Sequence, residues 1–379
     1  MASRAALAVV AAALLVAPAT ASADASPAQA IAALNAQRTA NGIPGGIVED
    51  AQRSTDCANH NAYEQQNDGL QHGEDKGKPG YTDGGNEASL NAVLAQGSSW
   101  AGGSNPWETA PGHLMQLLAP RLKSSGVADA GGWVCMTTWL GMDNDNGPAA
   151  NVVYTYPGDG ATNWRGSEVA DELPDTPGDY VGLPRGTRTG PYIYALLDGP
   201  GNLFLDLRSN ANLTSATLTG PNGAVELRTI DSTHPQQGPY MVPGAFIIPV
   251  SPLADGQYTA SVTFTVNGAP VKKTWSFIVG RPLLKTTRSV PSKASGSTLG
   301  GSITCSMACR LTLTLTAKGF KKALAMKTYT ASKGGKVTFK LKLPSSAKGK
   351  VKNATLKIDA KNLAGGTSPK SSSKTITFK

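Results

Sequence analysis

The rhythm of apolar and polar positions changes along the chain, and each change marks a different kind of element. In the first 122 residues the spacing is helical. Residues 28–41 place Ile31 and Leu34 on one face and stop at Gly42 and Pro44, which predicts a helix. A second helix is expected over 49–67, with Cys57, His60 and Glu64 on one stripe. Shorter helices follow over 86–94 and 111–122, the last with Pro111 in its first turn and Leu114, Leu117 and Leu118 on its buried face. Glycines between 69 and 85 interrupt regular structure there. Alternation then takes over: residues 132–140 carry Trp133, Cys135 and Trp139 on one face, and 151–156 read as a second strand, giving an α+β unit.

Residues 158–189 break the pattern. Pro174, Pro177 and Pro184 stand among Glu168, Asp171, Glu172, Asp175 and Asp179, the composition of a solvated, acidic connector. Beyond it, alternation at 192–196, 203–207, 216–218, 245–249, 258–264 and 274–278 predicts a β-sandwich. After residue 280 a second run of alternation carries Leu311, Leu313, Leu315, Phe339, Leu341, Leu356, Ile358, Ile376 and Phe378 on an apolar face and lysines on the other. The expected organisation is a leader over 1–23, an α+β unit over 24–157, the connector, a β-sandwich over 190–280 and a basic β-sandwich over 281–379.

Composition sharpens this picture in three places. A length of 379 residues with 43 Gly and 25 Pro favours several domains over one large core. Arg4, the apolar run from Ala5 to Ala17 and Ala21-Ser22-Ala23 read as a secretory signal with its cleavage site, so the mature chain is expected to be secreted, with no later transmembrane segment. Four cysteines in an exported chain favour disulfides. Three pairings are open, and grouping by unit favours Cys57 with Cys135 and Cys305 with Cys309; a zinc site on Cys305 and Cys309 competes but lacks a second ligand pair nearby.

The net charge of +9 hides a division: residues 281–379 hold 21 Lys and Arg against the single acid Asp359, while the rest holds 14 basic and 25 acidic residues. Such a field attracts cell-wall polymers or other anionic surfaces, and Lys336, Lys340, Lys342, Lys350, Lys352 and Lys357 are expected to project from one side as the contact surface. A lysine-rich surface that only keeps the module soluble is the competing reading. Aromatic residues are sparse there, which argues against specific nucleic-acid recognition.

Candidate chemistry concentrates between Cys57 and His113. This stretch holds three of the four histidines and, at close spacing, His72, Glu74, Glu87, Glu108 and His113. Imidazoles with carboxylates are the ligand set of a divalent metal such as zinc, expected here on His72, Glu87 and His113, and a bound hydroxide would then support hydrolysis. The competing reading is a hydrogen-bonded polar cluster that pins loops across a cleft. No His-Glu-x-x-His or Gly-x-Ser-x-Gly signature is present.

Leu34-Asn35-Ala36-Gln37-Arg38, Gly42-Ile43-Pro44, His72, Gly80-Tyr81, Gly85-Asn86-Glu87, the run from Trp107 to His113, Leu117-Leu118 with Pro120, and Gly126-Val127 together resemble the CAP superfamily of cysteine-rich secretory, antigen 5 and pathogenesis-related domains, in its bacterial branch. The resemblance covers about residues 28–157. It implies an α-β-α sandwich whose cleft gathers two histidines, matched by His72 and His113, and two acids. The acids depart from the pattern: Glu87 is displaced by one position and Ala110 stands where an acid is expected, leaving Glu74 and Glu108 to compensate. Residues 252–258, ending in Tyr258, with Trp275-Ser276-Phe277 resemble bacterial Ig-like modules. The expected function is that of a secreted or envelope-associated binding protein, with a metal-dependent peptidase-like hydrolase centred on His72 and His113 as the alternative.

Overall fold

The computed structural model describes residues 24–67, 69–281, 283–332, 334–363 and 366–378. The expected leader over 1–23 lies outside them. Among the described residues strands make up 39% and helical turns of all kinds 19%, so the fold is predominantly β.

The front region carries four α-helices: α1 (Pro27–Ala40), α2 (Ala51–Asn67), α3 (Asp83–Leu90) and α4 (Pro111–Leu117). Ser26 caps α1 with a reciprocal bond to Gln29, and Pro27 occupies the first turn. Two helices are shorter than their periodicity predicts. Helix α3 ends at Asn91, after which β-branched Val93 belongs to the strand Ala92–Gln96. Helix α4 stops three residues before Pro120, whose ring disfavours helical backbone in the residue before it. Only three strands form the sheet here: Ala92–Gln96 and Val127–Ala130 flank Trp133–Thr137, all antiparallel. Cys57 on α2 bonds to Cys135 in the central strand, both sulfurs fully buried.

The α-β-α sandwich expected over 24–157 is therefore corrected. Val152–Tyr156, expected to belong to this unit, instead pairs with Ile193–Asp198 and completes a sheet ordered Leu227–Asp231, Gly244–Pro249, Ile193–Asp198, Val152–Tyr156. A second sheet, in which Ala211–Gly220, Gly256–Val266 and Ala269–Val279 are successive antiparallel neighbours, closes the sandwich. Between the sheets sit Tyr194, Phe246, Phe264, Trp275 and Phe277, all essentially inaccessible. One continuous apolar core runs from Ile31 and Leu114 in the front region to Val279. Buried Arg121 adds a polar lock: it pairs with Asp198 at 2.7 Å and donates to the carbonyls of Asn144 and Gly201.

The connector is not a solvated tether. Its backbone at Gly160 and Trp164 donates to Ser276 and Ile278, extending the edge of the Ala269–Val279 strand, and Glu168 and Glu172 are buried. Residues 203–207, expected as a strand, form one π-helical turn, Leu203–Arg208, because the Asn202 side chain accepts from the amides of Phe204 and Leu205 and starts a helix there.

The C-terminal unit is a second sandwich with its own core, in which Ile303, Leu311, Leu313, Leu341 and Leu356 are fully buried. Three strands (Thr286–Ser289, Thr298–Cys305, Gly335–Lys342) face five (Lys293–Ala294, Ser372–Phe378, Asn353–Asn362, Cys309–Thr316, Ala325–Ala331). The Cys305–Cys309 disulfide clamps the crossover between the two sheets.

Candidate functional site

A cleft of about 700 Å³ opens where α4, the connector and the middle sandwich meet. Buried Gln116 and half-buried His113 line it, and His72 and Tyr240, both exposed, stand at its rim with Trp139 and Tyr180. The α4 backbone presents His113, and Glu172 reaches it from the connector. The Glu172 carboxylate accepts from His113 Nδ1 at 2.8 Å, from the amide of Gly112 at 2.9 Å and from the amide of His113 at 3.2 Å. These are first-turn amides that have no partner inside the helix, and a carboxylate is the acceptor that suits them best. Gly112 leaves room for it, since a Cβ there would stand 3.2 Å from Glu172 Oε2.

His72 is held differently. Its Nδ1 lies 2.6 Å from the carbonyl oxygen of Ser89, at the C-terminal end of α3. Burial holds its pKa below the ordinary imidazole value despite the Ser89 carbonyl, and the neighbouring charges of His113 and His60 add to the lowering. In both histidines Nδ1 faces an acceptor that can take only a hydrogen, a carbonyl or a carboxylate oxygen. At His72, whose pKa is lowered, the neutral imidazole is thus the Nδ1–H tautomer with a lone pair on Nε2.

The acids chosen from the sequence lie elsewhere. Glu74 points into a buried cluster under the loop: His60 Nδ1 contacts Glu74 Oε1 at 3.0 Å, His60 Nε2 lies 3.1 Å from the Gln71 carbonyl and 3.4 Å from Glu64 Oε1, and Glu74 Oε2 accepts the Thr82 amide at 2.8 Å. Gly85 permits this approach, because a Cβ there would come within 2.3 Å of Glu74. Burial alone would depress the His60 pKa, but hydrogen bonds and charge from Glu64 and then Glu74 carry it above the ordinary value. Glu87 is exposed on α3, and its carbonyl accepts from Asn91. Glu108 is engaged by Tyr156 at 2.7 Å, Gln37 at 2.8 Å and the Arg165 guanidinium, which also pairs with Glu168. The expected set of His72, Glu87 and His113 does not converge, and among the described residues no three His, Cys, Asp or Glu side chains form a group suited to a metal ion.

Sequence reasoning passed over Glu172, Trp139 and Tyr240. Glu172 lies 59 positions from His113, inside a segment whose prolines and acids look solvated. Trp139 was expected in a strand, but the strand ends at Thr137 and residues 139–141 turn as a 3₁₀-helix, releasing the indole to the rim, where it meets Phe204 edge-on at 5.8 Å.

The lysines expected on one side are divided. Lys336, Lys340 and Lys342 are exposed along Gly335–Lys342 in the three-stranded sheet. Lys357 is exposed in the five-stranded sheet and pairs with Asp359 at 3.1 Å, while Lys350 and Lys352 lie in the loop between. The basic surface therefore wraps the sandwich instead of covering one face.

No protein-family model matches the chain. No curated protein matches it either. Solved structures match weakly. The tetra-tandem repeat in the extending region of a large adhesion protein is 14% identical, with a TM-score of 0.26, over 66% of this chain and 61% of that one. Dimeric latent PorU from Porphyromonas gingivalis is 14% identical with a TM-score of 0.22, over 50% and 18%. A DUF4785 family protein from Legionella pneumophila is 7% identical with a TM-score of 0.20, over 65% and 60%. The chain spans less than two thirds of each of these proteins. None of them is a CAP domain, and the strand-rich architecture described above overturns that resemblance.

Proposed function

We propose that this chain is an exported binding protein whose cleft takes a small ligand while its C-terminal sandwich holds an anionic polymer of the cell envelope. The observation that carries the reading is the confinement of charge to a module with its own core: 21 basic residues against one acid over 281–379, with that acid already paired to Lys357. Lysines of Gly335–Lys342 stand on outward positions with Leu341 and Phe339 inward, so their ammonium groups are free to meet phosphates or carboxylates. Two disulfides suit an oxidising compartment, and no described helix is long and apolar enough to cross a membrane. Binding is favoured over metal-dependent hydrolysis because, among the described residues, His72, Glu87 and His113 do not form a group suited to a metal ion.

The test is retention of the full chain on immobilised poly(glycerol phosphate). Retention at low salt that is lost at high salt, and lost in the triple variant Lys336→Glu, Lys340→Glu, Lys342→Glu, is expected. Retention indifferent to both would refute the reading.

A further inference from the structure

We infer that the cleft recognises a neutral oligosaccharide of two to three rings. The inference rests on reading the cleft as a ligand site and adds the chemistry of its occupant. Three features converge on it. First, Ser89 sets the tautomer of His72, which presents an Nε2 lone pair that accepts hydrogen bonds. Second, Gln116 Oε1 accepts the Thr138 hydroxyl at 2.9 Å, which leaves its NH₂ to donate. An acceptor on His72 and a donor on Gln116, both lining the cleft, match hydroxyl groups, each of which gives one hydrogen bond and takes another.

The third feature is the rim. Trp139, Tyr180 and Tyr240 line it, and Tyr240 is 65% exposed. An exposed aromatic ring is an apolar surface bearing a polar edge, the partner that the C–H face of a sugar ring stacks on. The volume of about 700 Å³ lies within the range of small-molecule sites, roughly 300–1,000 Å³.

Charge narrows the class. Among the described residues no Lys or Arg lines the cleft, and the carboxylates of Glu172 and Asp175 in it would repel an acidic sugar. A cationic peptide is the rival occupant on charge alone. A neutral sugar is favoured over it because the Gln116 NH₂ is a donor, which matches a hydroxyl and not an ammonium group, and trilysine serves as the rival in the test below.

Titration calorimetry of the full chain against chitotriose, cellotriose, maltotriose, trigalacturonate and trilysine tests this. At least one neutral trisaccharide should bind, with trigalacturonate at least tenfold weaker. Tyr240→Ala and His72→Ala should each weaken the sugar about tenfold, equivalent to about 1.4 kcal/mol. Tyr240 is exposed enough that its loss leaves the fold intact, which unfolding curves verify. Absence of binding by every neutral sugar overturns the inference, as does sugar binding that both variants leave unchanged. Trilysine binding that Tyr240→Ala abolishes, with no sugar bound, would keep the cleft as a ligand site and overturn the sugar alone. Retention on poly(glycerol phosphate) should be unaffected by either cleft variant, so the two readings fail separately.

Discussion

Replacing Glu172 by Ala removes the single acceptor that ties the connector to α4. Three donors lose their partner: the amides of Gly112 and His113 and the Nδ1–H of His113. Gly112 is buried and His113 is partly so, with 18% of its side chain exposed, and Glu172 itself is 3% exposed at the side chain. A buried donor left without a partner costs about 1–3 kcal/mol, less where water can reach it. Counting the Gly112 amide in full and the two His113 donors at the low end gives a loss of about 3–5 kcal/mol. Equilibrium unfolding in denaturant measures it, with Asp175→Ala as the control at an exposed neighbouring acid, expected within about 0.5 kcal/mol of the parent. Glu172→Gln keeps an oxygen for the backbone amides and should lose less than Glu172→Ala. If Glu172→Ala unfolded within about 0.5 kcal/mol of the parent, the claim that this carboxylate closes the cleft would be wrong.

Two more outcomes follow from the covalent and buried polar features. The Cys57–Cys135 bridge spans 78 positions and Cys305–Cys309 spans 4, so loop-entropy arguments assign about 4.5 and about 2 kcal/mol to them. Paired Cys→Ala variants compared by chemical unfolding should differ in that order, and equal losses would contradict it. His60 is protonated more readily folded than unfolded, so its contribution is complete below an unfolded pKa of about 6.5 and is lost as pH rises through its raised folded value. Unfolding free energy should fall across that window in the parent, and His60→Gln should flatten the decline; a variant with an unchanged slope would rule His60 out as its source.

What could be read from the sequence divides by the distance over which each feature is specified. Alternating strands such as Gly256–Val266 and Gly335–Lys342 announce themselves because one residue in two must face a core. Both cysteine pairings were also accessible, since each bridge closes within one unit. Helix α3 was placed too far along because Ala, Val and Leu at 92–94 fit either periodicity, and only pairing with Cys135 and Met136 decides for a strand. The site was the least accessible part. His72 and His113 are visible as residues, but their neighbours are set by tertiary contact: Glu74 turned inward to His60, Glu108 was taken by Arg165 and Tyr156, and Glu172 arrived from a segment with the composition of a tether. The β-sandwich of the middle unit was foreseen in kind, but not its fourth strand, because nothing local in Val152–Tyr156 says which sheet it joins.

That borrowed strand bears on how such a chain can be inherited. A genetic exchange cut at the connector would strip the middle sandwich of an edge and leave the flank of Ile193–Asp198 bare, a template for pairing with other copies. It would also separate Arg121 from Asp198, leaving a buried charge on each side. Residues 24–280 are thus transmissible only as a single cassette. The basic sandwich, whose core takes Ile278 from the Ala269–Val279 strand but is otherwise its own, is the part that recombination can append, duplicate or discard at the least structural expense.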